Sequence, residues 1–202
     1  MTKEEMREKF IDIIARFTVY SGKHLPDDVH AKLTELRKVE TSDMAKIIYD
    51  AMFDNLEMAK DLDRPCCQDT GVLQYFVQVG TGFPLIDDIE YCLQEAVKRA
   101  TVLGPLRHNA VEIFDEKNTG NNVGTRIPWI DWEVIPHSDE VKIYVYMAGG
   151  GCSLPGTAKV LMPLEGYEGI VKFVFDQVTS YGINAYGSQK KAEKPSHKPF
   201  GY

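Results

Sequence analysis

The sequence predicts a mixed α+β fold: N-terminal helices followed by a small sheet with packed helices. Three observations carry that expectation. Apolar residues recur at helical spacing through the first third of the chain, strict alternation appears at residues 73–79 and 141–147, and glycine–proline breaks punctuate the pattern.

Met6, Phe10, Ile13, Ile14 and Phe17 define an amphipathic helix over residues 2–19. Pro26-Asp27-Asp28 opens a second helix that runs to about Val39. Thr41, Ser42 and Asp43 offer capping oxygens to a third, whose apolar stripe is Met44, Ile47, Ile48, Ala51, Met52, Leu56 and Ala59. Arg64-Pro65 ends it, because proline lacks the amide donor and restricts the residue before it. Leu73, Tyr75, Val77 and Val79 alternate with polar or outward positions, which is strand behaviour. Gly80-Thr81-Gly82-Phe83-Pro84 then turns the chain into a helix from about Ile86 to Leu103, stopped by Gly104-Pro105. Further strands are expected at Trp129–Ile135 and Val141–Met147, and a last helix from about Tyr167 to Tyr181. No internal repeat is present.

Residues 1–183 read as one domain and 184–202 as a tail. The tail has no Ile, Leu, Val or Met, and four lysines against one glutamate. It cannot bury enough apolar surface to offset its ordering entropy, so it is expected to be disordered.

Over 202 residues the net charge is −7, with a pI near 5.3. No general field therefore draws nucleic acid or an anionic membrane. A small anion would need a local cluster of donors. No apolar run approaches a membrane span, and the charged start has no apolar h-region, so a cytoplasmic protein is expected. Cys66, Cys67, Cys92 and Cys152 suit a reducing compartment better than a disulfide framework.

Chemistry concentrates in Cys67-Gln68-Asp69-Thr70-Gly71, where a thiol, an amide, a carboxylate and a hydroxyl precede a glycine that permits a sharp turn. Cys67 suits either a thiolate ligand or a buried, inert thiol. No Cys-x2-Cys spacing supports a zinc site or a local iron–sulfur loop. Arg107-His108-Asn109 falls on a loop, where Arg107 suits either a bidentate carboxylate clamp or a surface ion pair. Gly149-Gly150-Gly151 suits either a backbone cradle for an anion or a plain turn. Asn118-Thr119-Gly120-Asn121-Asn122 reads as a polar turn and no more, and Cys92 as core.

Arg64-Pro65 before Cys67–Gly71, then Pro105-Leu106-Arg107-His108-Asn109, Asn118-Thr119-Gly120 and the run from Met147 to Ser153 together resemble the class I fumarate hydratase and tartrate dehydratase family of iron–sulfur hydro-lyases. The ordered likeness spans about residues 5–185. Within the family, Arg107–Asp115 and Met147–Cys152 look most like alpha subunits of the tartrate-dehydrating branch. This resemblance implies an alpha subunit that dehydrates L(+)-tartrate to oxaloacetate and water. It also implies a 4Fe–4S cluster on three cysteines, with a beta subunit completing the site around a small dicarboxylate. Cys67 matches the first cluster ligand. Asp69 matches a catalytic and substrate-binding position, and Gln68, Arg107, Gly149, Gly150 and Gly151 match substrate-binding positions.

One departure is prominent. The family places its second ligand in an Asn-Ala-Cys-Pro-Pro stretch, where this chain reads Asn184-Ala185-Tyr186 before the lysine-rich tail. Two of three expected ligands are thus missing, and the chain is expected to be a truncated family member. The alternatives are a class I fumarate hydratase subunit acting on malate and fumarate, and a catalytically inactive fragment that only binds a beta subunit. A redox-sensing pair at Cys66 and Cys67 is a third reading, and it requires a depressed thiol pKa.

Overall fold

The computed structural model describes residues 1–67, 69–112, 114–149 and 156–181. The expected tail, 184–202, lies outside them. The chain divides into two compact units, Met1–Ala148 and Gly149–Tyr202.

The first unit opens with α1 (Lys3–Lys23), α2 (Asp27–Val39) and α3 (Asp43–Asp61). Its centre is β1 (Val72–Gly80), flanked by β2 (Trp129–Ile135) and β3 (Val141–Ala148), with α4 (Ile89–Leu103) between β1 and β2 in sequence. β1 runs parallel to β2, with Val77 opposite Trp132, and antiparallel to β3, with Tyr75 opposite Val145. A parallel neighbour requires a long crossover, and α4 with the loop after it supplies one.

Alternation in β1 places Leu73, Tyr75, Val77 and Val79 on one face, each at most 1% exposed. They pack with Ile11, Ile14 and Ala15 of α1 and with Ile89, Cys92, Leu93, Ala96, Val97 and Ala100 of α4. Full burial of such side chains stabilises by roughly 1.5–3 kcal/mol each. Val141, Ile143, Val145 and Met147 of β3 flank the same core. The opposite face of the sheet presents Phe76, Tyr144 and Tyr146, all exposed. Gly80 is required by close approach: a Cβ there would fall 2.2 Å from the Ser138 carbonyl oxygen.

α1 continues four residues beyond the expected end at position 19. Its start is fixed by a reciprocal capping box between Thr2 and Glu5. The expected helix at Ile86 begins as a 3-10 turn, Ile86–Asp88, and becomes α-helical only at Ile89. α3 forms as expected and leaves most of its apolar stripe uncovered. Ser42 caps it as expected, but Met44, Ile47, Ile48 and Met52 of its apolar stripe are exposed, and only Ala59 is buried. α2 and α3 meet through a bidentate Arg37–Asp50 pair at 2.7 and 3.0 Å and an edge-on His30–Phe53 contact.

The described part of the second unit holds a 3-10 turn at Pro163–Glu165 and α5 (Gly166–Tyr181). Ile170, Val174, Phe175 and Val178 of α5 are exposed. Among the described residues, no helix is long and apolar enough to cross a membrane.

Tyr75 carries the core's polar atom. Thr18 gives its proton to the Ile14 carbonyl at 2.8 Å, so the Tyr75 phenol donates to Thr18 Oγ1 at 2.9 Å. Burial pushes the phenol up to about 12, while an unfolded tyrosine ionises near ~10. The folded state therefore resists an ionisation that the unfolded chain undergoes, and this contribution, whole below about pH 10, is lost as pH rises toward 12. Tyr75→Phe should cost about 1 kcal/mol at neutral pH through the lost hydrogen bond. It should also flatten the alkaline fall in stability, read from urea unfolding across that range. An equally steep fall in the variant would show that other groups govern it.

Candidate active site

The corner forms where the chain enters β1. Cys66 is anchored first: its amide donates to the Gly22 carbonyl at 3.1 Å, its thiol reaches the same oxygen at 3.4 Å, and its own carbonyl accepts from the Asn55 side chain at 2.7 Å. The end of α1 and the body of α3 thus hold the segment. Cys67, the next residue, is exposed, which removes the reading of a buried, inert thiol.

Asp69 closes a tight turn. Its Oδ1 accepts from the Gly71 amide at 3.0 Å, and Gly71 takes φ +75°, a left-handed conformation that favours glycine. Thr70 is buried and ties this turn to the loop after α4. The Arg107 amide donates to Thr70 Oγ1 at 2.9 Å, and Thr70 donates back to the Arg107 carbonyl at 3.5 Å. Asn109 completes the join, its Nδ2 donating to Asp69 Oδ1 at 3.0 Å and to the Gly71 carbonyl at 3.1 Å. A carboxylate that accepts two amide protons is held in one orientation.

Arg107 is exposed, and among the described residues its guanidinium makes no ion pair, so the surface-pair reading has no partner. Its backbone is fixed by Thr70 and by buried Leu106. Asp69 and Arg107 are therefore brought to one corner. Gln68, Gly150 and Gly151 lie outside the described residues, and Gly149 belongs to the second unit.

The Asn118–Asn122 stretch is more than a polar turn. Asn118 donates to the His108 carbonyl, Thr119 donates its amide to the Ala110 carbonyl at 3.0 Å, and Asn122 is only 4% exposed. Asn122 and Asn109 were missed as structural residues because a polar residue in a glycine-containing turn signals solvent exposure. The available signal was the density of asparagine: side-chain amides both donate and accept, which suits them to bridging loops.

The family model described as fumarate hydratase (fumerase) matches residues 11–187. The chain belongs to the fumarate hydratase family. This fumarate hydratase family member is similar to the L(+)-tartrate dehydratase subunit alpha of Escherichia coli strain K12, 55% identical over 183 residues. The protein of the same name from Shigella sonnei strain Ss046 is also 55% identical, and that of Escherichia coli O157:H7 is 54% identical. Each match covers 91% of this chain and 60% of the relative, so the chain spans about 60% of the length of these curated relatives.

An iron–sulfur cluster does not fit the described residues of this family member. Cys66 turns its thiol to Gly22, and burial pushes that thiol up, against the redox-sensing reading. Cys92 is fully buried in the core, where desolvation raises it to about 11. Among the described residues, no group of three His, Cys, Asp or Glu could hold a metal ion. The family resemblance implies one cluster ligand among the described residues, Cys67, and retention takes three or four protein sulfurs. After anaerobic incubation with iron and sulfide, this 202-residue chain should stay colourless and hold less than one iron per chain. Stable brown protein with about four irons would overturn this and point to Cys152 or Cys66 as a recruited ligand.

Proposed function

We propose that this chain carries the carboxylate-binding corner of an alpha subunit of an L(+)-tartrate dehydratase, working in the cytoplasm with a beta subunit. The observation supporting this reading is the join between Asp69 and the Arg107 loop through Thr70 and Asn109. It joins the backbone of the residue that bears a forked cation to the turn that holds an oriented carboxylate, and such a pair suits recognition of a hydroxy-dicarboxylate. Similarity to tartrate dehydratase alpha subunits over 91% of the chain supports the choice of substrate.

In this reading Arg107 grips one substrate carboxylate with two parallel N–H bonds. Asp69, held by Asn109 at Oδ1, accepts a hydrogen bond from a substrate hydroxyl and fixes which carbon faces the reacting groups. By the family resemblance, Gln68 contributes a further donor to the substrate. Loss of a proton from one carbon and hydroxide from the next yields the enol and water, and the enol tautomerises to oxaloacetate. The cluster that the family resemblance implies does not fit the described thiols, so the chain's own part is binding and orientation.

The subunit completed to the length of its relatives and paired with its beta subunit should turn over L-tartrate in preference to malate in anaerobic assays. Equal or better conversion of malate to fumarate would move the assignment to fumarate hydratase. No turnover of either substrate would leave the inactive, partner-binding fragment.

Arg107→Lys in that complex should lower kcat/KM by the equivalent of roughly 2–4 kcal/mol, because one ammonium cannot replace the fork. Thermal unfolding should be unchanged. An unaltered kcat/KM would return Arg107 to an ordinary surface residue.

A further inference from the structure

Asn122 lies at the centre of a hydrogen-bond set that no substrate role explains. Its Oδ1 accepts the Asn109 amide at 2.7 Å and the Ala110 amide at 3.4 Å. Its Nδ2 donates to the Arg107 carbonyl at 2.8 Å and to Thr101 Oγ1 at 3.1 Å. Thr101, on the last turn of α4, is 3% exposed and is itself oriented by donating to the Val97 carbonyl at 2.8 Å. One buried amide thus grips both ends of the Arg107–Asn109 segment and fastens them to α4.

We propose that Asn122 is the positioning residue of the corner. It sets the backbone from Arg107 to Ala110, so that the Arg107 guanidinium and, through Asn109, the Asp69 carboxylate are presented together. The reach to Asp69 has two steps. Asn122 fixes the Asn109 amide, and Asn109 then spends its side-chain donors on Asp69 Oδ1 and the Gly71 carbonyl. The significance for substrate rests on the dehydratase reading above; the clamp itself does not.

The geometry dictates the test. Asn122 takes φ +60°, so Asn122→Gly removes the side chain without adding backbone strain. Thr101→Val keeps the shape of the buried partner and deletes its hydroxyl, with the bonds to Asn122 and to the Val97 carbonyl, providing a milder variant should the glycine variant not fold. On the 202-residue chain, amide hydrogen exchange should quicken at least tenfold at Asn109 and Ala110 in Asn122→Gly, and by a smaller factor in Thr101→Val. The amides of Tyr75 and Val77 in β1 should not change. Unchanged exchange at Asn109 in the folded variants would overturn the clamp.

In the assembled enzyme Asn122→Gly should lower kcat/KM for L-tartrate about tenfold. Combining it with Arg107→Lys should cost markedly less than the product of the single losses, because both act on one contact. Multiplicative losses would overturn the link to Arg107. An inactive parent complex would overturn the dehydratase reading, and hydrogen exchange would still decide the clamp.

Discussion

The core of the first unit depends on the inward face of β1. Leu73, Tyr75, Val77 and Val79 fill the space between the sheet and the helices α1 and α4, and a shift of one residue would turn all of them outward. That register also fixes where β1 begins. Val72 pairs with Ala148 at the end of β3, so the Asp69–Gly71 turn must arrive at a defined point at the end of the central strand. The corner is precise because the strand behind it cannot slide.

Its attachments differ in kind from the core's. Apolar burial holds the strand, whereas directional bonds hold the corner: Thr70 to Arg107, Asn109 to Asp69, Cys66 to Gly22. These connect residues far apart in sequence, and each costs chain entropy to bring together. A polar corner on a rigid apolar base combines exposed chemistry with fixed geometry. Arg107 is exposed and Asp69 half-buried, while Thr70 and Asn122, which hold the loops behind them, are buried.

Much of this was legible in the sequence. Alternation at 73–79 and at 141–147 marks strands whose buried positions are the ones expected, and the caps at Ser42 and Gly104 sit where the residues indicated. Periodicity is less informative about which apolar stripe finds a partner. Met44, Ile47 and Ile48 have the spacing of a core helix, yet they remain exposed, because amphipathicity states a need for burial and not its fulfilment. Asn122 was illegible for the opposite reason. Burial of an amide depends on four partners from distant segments, and no local pattern encodes that convergence.

The choice of side chain at position 122 is correspondingly narrow. The backbone there is left-handed, which admits glycine, asparagine and aspartate far more readily than other residues. Glycine meets the backbone requirement and leaves the Asn109 and Ala110 amides without their acceptor. Aspartate would supply the acceptor, but it would set a charged oxygen against the Arg107 carbonyl, where the structure needs a donor 2.8 Å away. Asparagine satisfies conformation, neutrality and both halves of the hydrogen-bond set at once. The described cysteines Cys66, Cys67 and Cys92 are free, and one amide at a turn performs the work of a cross-link, with an alphabet close to one letter.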